Sequence, residues 1–323
     1  MANTRLQDCA LTEHAGLHAP RVVWVISDNK PGHANQSLGL AEALTRAAPT
    51  TIHVTPALPA WRAWLAFLLK RMPGKQLPKP DLVIGAGHAT HITLLAARRA
   101  HDARIVVLMK PSLPRAWFDL SIIPQHDGIT ADAHTLVSEG ALNRIRPTTL
   151  SQSTGEDARQ GLLLIGGTSS HFEWDNDAVL VQIKSILARK PNTHWTLATS
   201  RRTPEDFLPE LPQYPNLTIV PHTATSPDWL PAQLAHSSPV WVTPDSASMV
   251  FEALTAGADV GVFDLPVNPK SRVGWAIAHL ADAQRITRFV AWCTYGKLHP
   301  NLHPLAEAER CADWILNWLK KKN

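Results

Sequence analysis

Two stretches of this chain repeat one local order: an apolar, β-branched run, a glycine-bearing polar loop, then a helix-period pattern. RVVWVISD (21–28) feeds NKPGHANQS and LGLAEALTRA, and GLLLIGGTSS (161–170) leads on to NDAVLVQIKSILARK. Runs that are apolar throughout belong to strands buried on both faces. Alternation with helices then demands a mostly parallel sheet with right-handed crossovers. The pattern continues in the first half through TIHVTPA, the apolar helix 61–72, PDLVIGAG, HATHITLLAARRAH, RIVVLMKPS, FDLSIIPQHDG and HTLVSEGAL. In the second half it continues through HWTLATS, NLTIVPH and the stretch 239–266, with a helix in TPEDFLPEL capped at Thr203. The fold class expected is α/β, as two series in tandem.

The 323 residues suit about two domains. The polar, patternless stretch 146–160 is the natural boundary. The division expected is a flexible terminus over 1–20, a first α/β domain over 21–152, a second over 153–300, and a C-terminal helix over 301–323. Cysteines stand only at 9, 293 and 311, with no CxxC, which argues against a disulfide framework or a zinc ribbon and fits a reducing compartment. The first twenty residues lack an apolar signal core, and no run is long enough to span a membrane, so a cytoplasmic location is expected. A formal net charge of +4 is too mild for a nucleic-acid partner. The 16 histidines form no HExxH, and no metal is expected. Helix 61–72 carries Trp61, Trp64 and Phe67 with Arg62, Lys70 and Arg71. It reads either as core or as a peripheral contact with an anionic membrane, on its inner face. Trp314 and Trp318 with the terminal lysines repeat that theme.

Ligands of parallel sheets bind at the carboxyl ends of the strands, so the polar residues there are the candidates. After the first strand come Asp28, Asn29, Lys30, Gly32, His33, Asn35 and Gln36, where a helix N-terminus offers free N–H groups to an anion. After the third come Gly85, Gly87, His88 and Thr90, with His88 a candidate general base. Lys110 ends the fourth. In the second half Gly166, Gly167 and Thr168 are placed to cradle a phosphate through backbone N–H groups. Thr199, Arg201 and Arg202 are suited to a diphosphate. Asp245, Ser246, Ser248 and Glu252 surround a helix start, and a ribose diol would satisfy a carboxylate buried there.

Taken as a linked series, SDNKPGHANQSLGLAEAL, DLVIGAG, FDLSIIPQHDG, SEGALNRI, LLIGGTSSHFEW, TSRRTP and VTPDSASMVFEALTAG resemble the plant mitochondrial fission-factor family (the elongated-mitochondria proteins) and its bacterial relatives. That family in turn is similar to GT-B glycosyltransferases, most of all to the bacterial enzyme that adds N-acetylglucosamine to a lipid-linked peptidoglycan precursor. The resemblance implies two Rossmann-like domains facing a central cleft, the first holding a glycan or lipid-linked acceptor and the second a nucleotide-sugar, expected to be UDP-linked, with the C-terminal helix 301–323 packing back on the first domain. Carried onto this sequence, Glu252 would bind the donor ribose, and Gly166, Gly167 and Thr168 would face the diphosphate. Asn29, Lys30, Gly32, Asn35, Gln36, Gly87 and Lys110 would lie on the acceptor side. The chemistry implied is metal-free, inverting sugar transfer with no further cofactor. Asp28 or His88 would serve as base, with His33 a further candidate. A non-enzymatic adaptor on the same scaffold and a nucleotide-sugar epimerase are the alternatives.

Overall fold

The computed structural model describes residues 22–73, 77–147 and 160–321. The expected flexible terminus, the boundary at 152/153 and Lys322 lie outside the described residues. The first lobe is a six-stranded parallel sheet in the order β2-β1-β3-β4-β5-β6. Its elements are β1 (Val22–Ser27), α1 (Pro31–Ala47), β2 (Thr51–Pro56), α2 (Ala60–Leu69), β3 (Leu82–Ala86), α3 (His91–His101), β4 (Arg104–Leu108), β5 (Leu120–Pro124) and β6 (Thr135–Ser138). The central strands are apolar on both faces because helices cover both. Val23, Val25 and Ile84 pack towards α1, and Trp24, Ile26 and Val83 pack towards α3.

The second lobe comprises β7 (Gln160–Leu164), α4 (Asn176–Arg189), β8 (His194–Ala198), α5 (Phe207–Glu210), β9 (Leu217–Val220), α6 (Trp229–Leu234), β10 (Ser237–Val242), α7 (Ala247–Ala256), β11 (Val260–Val262), α8 (Arg272–Asp282), β12 (Thr287–Arg288) and α9 (Phe289–Tyr295). Its sheet is also six-stranded and parallel, in the order β12-β11-β10-β7-β8-β9. Trp241, Phe263, Phe289 and Trp292 form one edge-on aromatic cluster in its core.

The last helix, α10 (Glu307–Lys321), leaves the second lobe and packs on α1. Ala308, Cys311, Ala312 and Ile315 share a core with Leu40, Ala41 and Leu44. Burial pushes the Cys311 thiol up to about 12, so it stays a neutral packing group.

Three local expectations change. The Pro-Gly that reads as a turn is the first turn of α1, because Pro31 occupies the opening helical position, where its missing N–H costs nothing. Thr203 does not cap α5, which opens at Phe207. Its hydroxyl instead donates to the Gly166 carbonyl and accepts the Ser200 N–H. The tail tryptophans face inward: Trp318 is buried and Trp314 stacks beside it against the first core.

Candidate functional site

Each sheet has one place where neighbouring strands send their crossovers to opposite faces, and there a crevice opens at the carboxyl edge. In the first lobe it lies between β1 and β3, whose register pairs Ile26 with Gly85. Asp28 and Gly87 therefore emerge side by side. In the second it lies between β7 and β10, where Leu164 pairs with Val242. That sets Gly166 and Gly167 abreast of Thr243 and Asp245.

At the first crevice His33 Nδ1 and Asp28 Oδ2 are 2.8 Å apart, with Asp28 almost fully buried and His33 one-fifth exposed. A carboxylate only accepts, so Nδ1 carries the proton and Nε2 is left as the basic atom. Burial works against ionising Asp28, but the His33 bond, the Lys30 amide and nearby positive charge outweigh it and hold the carboxyl below its usual range. Gly87 is the floor beneath the pair. Its φ is +82°, and a Cβ there would lie 2.4 Å from the His33 ring. His88 is exposed on the following turn. His91 lies behind it, pushed down to about 4 by burial and by His88, with its Nδ1 3.3 Å from the Ser112 hydroxyl.

At the second crevice the backbone is already engaged. Gly166 N–H donates to Thr243 Oγ1 at 2.7 Å, Gly167 N–H to Asp245 Oδ2 at 3.0 Å, and Thr168 N–H to the Arg202 carbonyl at 3.2 Å. The expected cradle of outward amides is therefore corrected: these three N–H groups tie the loop to its own lobe. Arg202 reaches Asp245 Oδ2 at 2.8 Å. Burial raises the Asp245 carboxyl, against the pull of Thr243, Arg202 and the Gly167 amide. Asp245 precedes α7, so it does not share a helix face with Ser248 and Glu252. Ser246 is buried at the helix start and Ser248 is exposed. Thr199 Oγ1 accepts the His222 N–H at 3.0 Å, and Arg201 is exposed beside it.

The lobes touch where α8 packs on the segment 125–127 and where α1 reaches α7. Asn35 Nδ2 donates to Glu252 Oε1 at 2.6 Å, across 217 residues of sequence. Around this bond, His126 stacks on Phe251 at 6.3 Å, Asn143 donates to Thr255, and Arg272 pairs with Asp127 at 2.7 Å. Asn29, Lys30 and Gly32 lie exposed at the start of α1, Gln36 is half-buried beside Asn35, and Lys110 is exposed after β4. Gly32 has open space where a Cβ would go, so no close approach requires a glycine there. Among the described residues, no three His, Cys, Asp or Glu side chains converge to hold a metal.

A family model described as mitochondrial fission ELM1 matches residues 31–319. The chain belongs to the mitochondrial fission ELM1 family. This ELM1-family chain is 22% identical to an uncharacterized protein of Rickettsia prowazekii, over 92% of its own length and 98% of that protein's. Among solved structures it is similar to a putative UDP-N-acetylglucosamine 2-epimerase from Listeria monocytogenes, with TM-score 0.56, 13% identity, and 93% and 96% of the two chains covered. It is also similar to the UDP-GlcNAc 2-epimerase of Neisseria meningitidis bound to UDP-GlcNAc, with TM-score 0.52, 12% identity, and 93% and 100% covered. A third is the glycotransferase of kitacinnamycin, with TM-score 0.51, 14% identity, and 93% and 99% covered. At these identities the likeness is one of fold, and the fold of this ELM1-family member is GT-B-like.

The sequence offers Asp28, His33, Asn35 and Glu252 only singly. The structure joins them into two pairs, one inside the first lobe and one across the seam. The stacking of His126 on Phe251 is not legible in the sequence, since nothing in either local segment points to the other.

Burial pushes the Glu252 carboxyl up from 4.5 to about 7, the Asn35 bond opposing it. The folded chain thus keeps a proton that the unfolded chain releases. Stability is full below about 4.5, falls as pH rises through about 7, and is level above, a total of about 3 kcal/mol. Glu252→Gln keeps an acceptor for Asn35 and carries no charge. Urea midpoints at pH 5 and pH 8 are expected to differ clearly less in the variant than in the parent chain.

Proposed function

We propose that this protein is a nucleotide-sugar glycosyltransferase that activates its acceptor hydroxyl with the Asp28–His33 pair. The observation that carries the reading is that pair: a buried, ionised carboxylate orients an imidazole at the crevice of the first sheet. His33 Nε2 takes the proton of the acceptor hydroxyl as its oxygen attacks the anomeric carbon. The nucleoside diphosphate leaves from the opposite face, so the configuration inverts. Asp28 holds the imidazolium in place and is itself a positioning group. The base is thereby reassigned: Asp28 orients, His33 accepts, and no carboxylate among the described residues is bonded to His88.

Negative charge on the departing diphosphate falls to Arg201 and Arg202. Arg202 is bound to Asp245, so donor binding exchanges one anion for another at that guanidinium. Glu252 is the group assigned to the ribose diol, which would replace Asn35 as its partner. The likeness to the Neisseria meningitidis epimerase bound to UDP-GlcNAc supports a nucleotide-sugar as ligand, and UDP is the first donor class to test.

Calorimetric titration with UDP, GDP, CMP, ADP and dTDP tests this. One nucleotide is expected to bind selectively, and Glu252→Ala is expected to weaken it about tenfold or more. Binding that ignores Glu252→Ala removes the ribose assignment. No binding by folded protein favours an adaptor on the same scaffold. The epimerase reading is supported by the two epimerases among the neighbours, and it predicts conversion of the donor with no acceptor present.

A further inference from the structure

Helix α2 is packed inside out. Its small residues Ala63 and Ala66 are the buried ones, set towards α3, while Phe67 is half-buried under the Arg99 guanidinium at 4.8 Å. Its large apolar residues face solvent: Trp61 is 64% exposed, Leu68 67% and Leu69 65%, with Trp64 and Leu65 nearly half exposed. Globular surfaces seldom leave so many large apolar side chains on one short helix. The charge around it has one sign. From Thr51 to Pro80 the sequence holds Arg62, Lys70, Arg71, Lys75 and Lys79 and no Asp or Glu. Arg62 lies over the Trp61 ring at 5.0 Å, which keeps the cation beside the apolar tip.

We infer that α2 is a membrane-surface anchor that inserts these side chains between the headgroups of anionic lipid. The charge decides the occupant. A second copy of the chain meeting this face would set Arg62, Lys70 and Arg71 against themselves, and like charges brought together at an interface are costly. An anionic bilayer complements both properties at once: it takes up tryptophan and leucine at the headgroup boundary and attracts the lysines and arginines. The placement fits as well. β2 ends beside Ser27, and the Leu58 N–H is held by Thr93 Oγ1, so α2 starts at the sheet edge that carries Asp28. Insertion of Trp61 and Trp64 would hold the mouth of the first crevice at the lipid surface. Docking is independent of the sugar-transfer reading, since it concerns α2 alone.

The test is co-sedimentation of the full chain with vesicles of phosphatidylcholine, with and without roughly one part in three of phosphatidylglycerol. Binding is expected to the mixed vesicles only, and to weaken as salt rises. Arg62→Gln with Lys70→Gln and Arg71→Gln should lower it about a hundredfold, at roughly fivefold per charge. Trp61→Ser with Leu68→Ser should lower it at low and high salt alike. Both variants change exposed side chains, and thermal melting and nucleotide titration should match the parent. The inference is overturned by no binding to the mixed vesicles, by equal binding to both vesicles, or by binding that survives both variants. Self-association of the parent chain that Trp61→Ser with Leu68→Ser abolishes, without vesicle binding, would instead assign the face to a second copy.

Discussion

His33→Ala is expected to slow sugar transfer by about 10³-fold while leaving nucleotide affinity unchanged. The variant removes the basic atom that Asp28 orients, inside the first lobe. Asp28→Asn should fall in the same direction, because an amide at that position can donate to Nδ1 and so favours the wrong tautomer. His88→Ala is the control, expected to keep most activity. The two experiments to run together are steady-state transfer and calorimetric nucleotide titration on all three variants. Full activity in His33→Ala with loss in His88→Ala would move the base to His88 and sink the assignment.

Gly167→Ala is expected to destabilise the second lobe by about 3 kcal/mol. A Cβ there would sit 1.9 Å from the Arg202 carbonyl oxygen and 2.5 Å from the Thr203 nitrogen, both backbone atoms that cannot swing aside. The loop would have to leave Asp245, and the Gly167 N–H and the Arg202 guanidinium would both lose their partner. Gly32→Ala is the matched control. Its Cβ meets nothing within 4 Å, and it lies in the first turn of α1, so its effect should stay within about 0.5 kcal/mol. Denaturant midpoints of the two variants decide the matter. Equal midpoints would mean the loop reorganises freely and is not held by the close approach to Arg202.

These two glycines show what the sequence made legible. In sequence both read as part of a polar loop after a buried strand, and both are natural candidates for a ligand loop. Only the tertiary packing separates them, because the crowding at Gly167 comes from a segment 35 residues further on. The strand–loop–helix alternation was legible because strands buried on both faces are apolar throughout, as in VVWVI and LVIGA. Strand order was not. Adjacency of β7 and β10 puts Asp245 against Gly167, yet each local sequence is satisfied without the other. The same holds for Asn35 and Glu252, whose bond depends on how the lobes close. The roles of Asp28 and His33 were blurred for another reason. Pro31 reads as a turn when it in fact starts a helix, and the helix is what swings His33 back over Asp28. The exposed face of α2 and the buried face at Trp318 had the same composition in sequence. The difference is that α10 has α1 to lie against and α2 has only the small side of its own surface buried.

The position of α10 has a consequence for how the chain is made. Synthesis runs from the N-terminus, so the strands β1 to β6 emerge first. The surface of α1 that α10 covers stays bare until Ala308, Cys311 and Ile315 have been translated. The first lobe to be synthesised is therefore the last to be completed, and its apolar flank waits through the whole translation of its neighbour. A ribosome that stalls anywhere in the second lobe releases a chain with that flank open. For this molecule, quality control at the final helix is quality control of the first lobe.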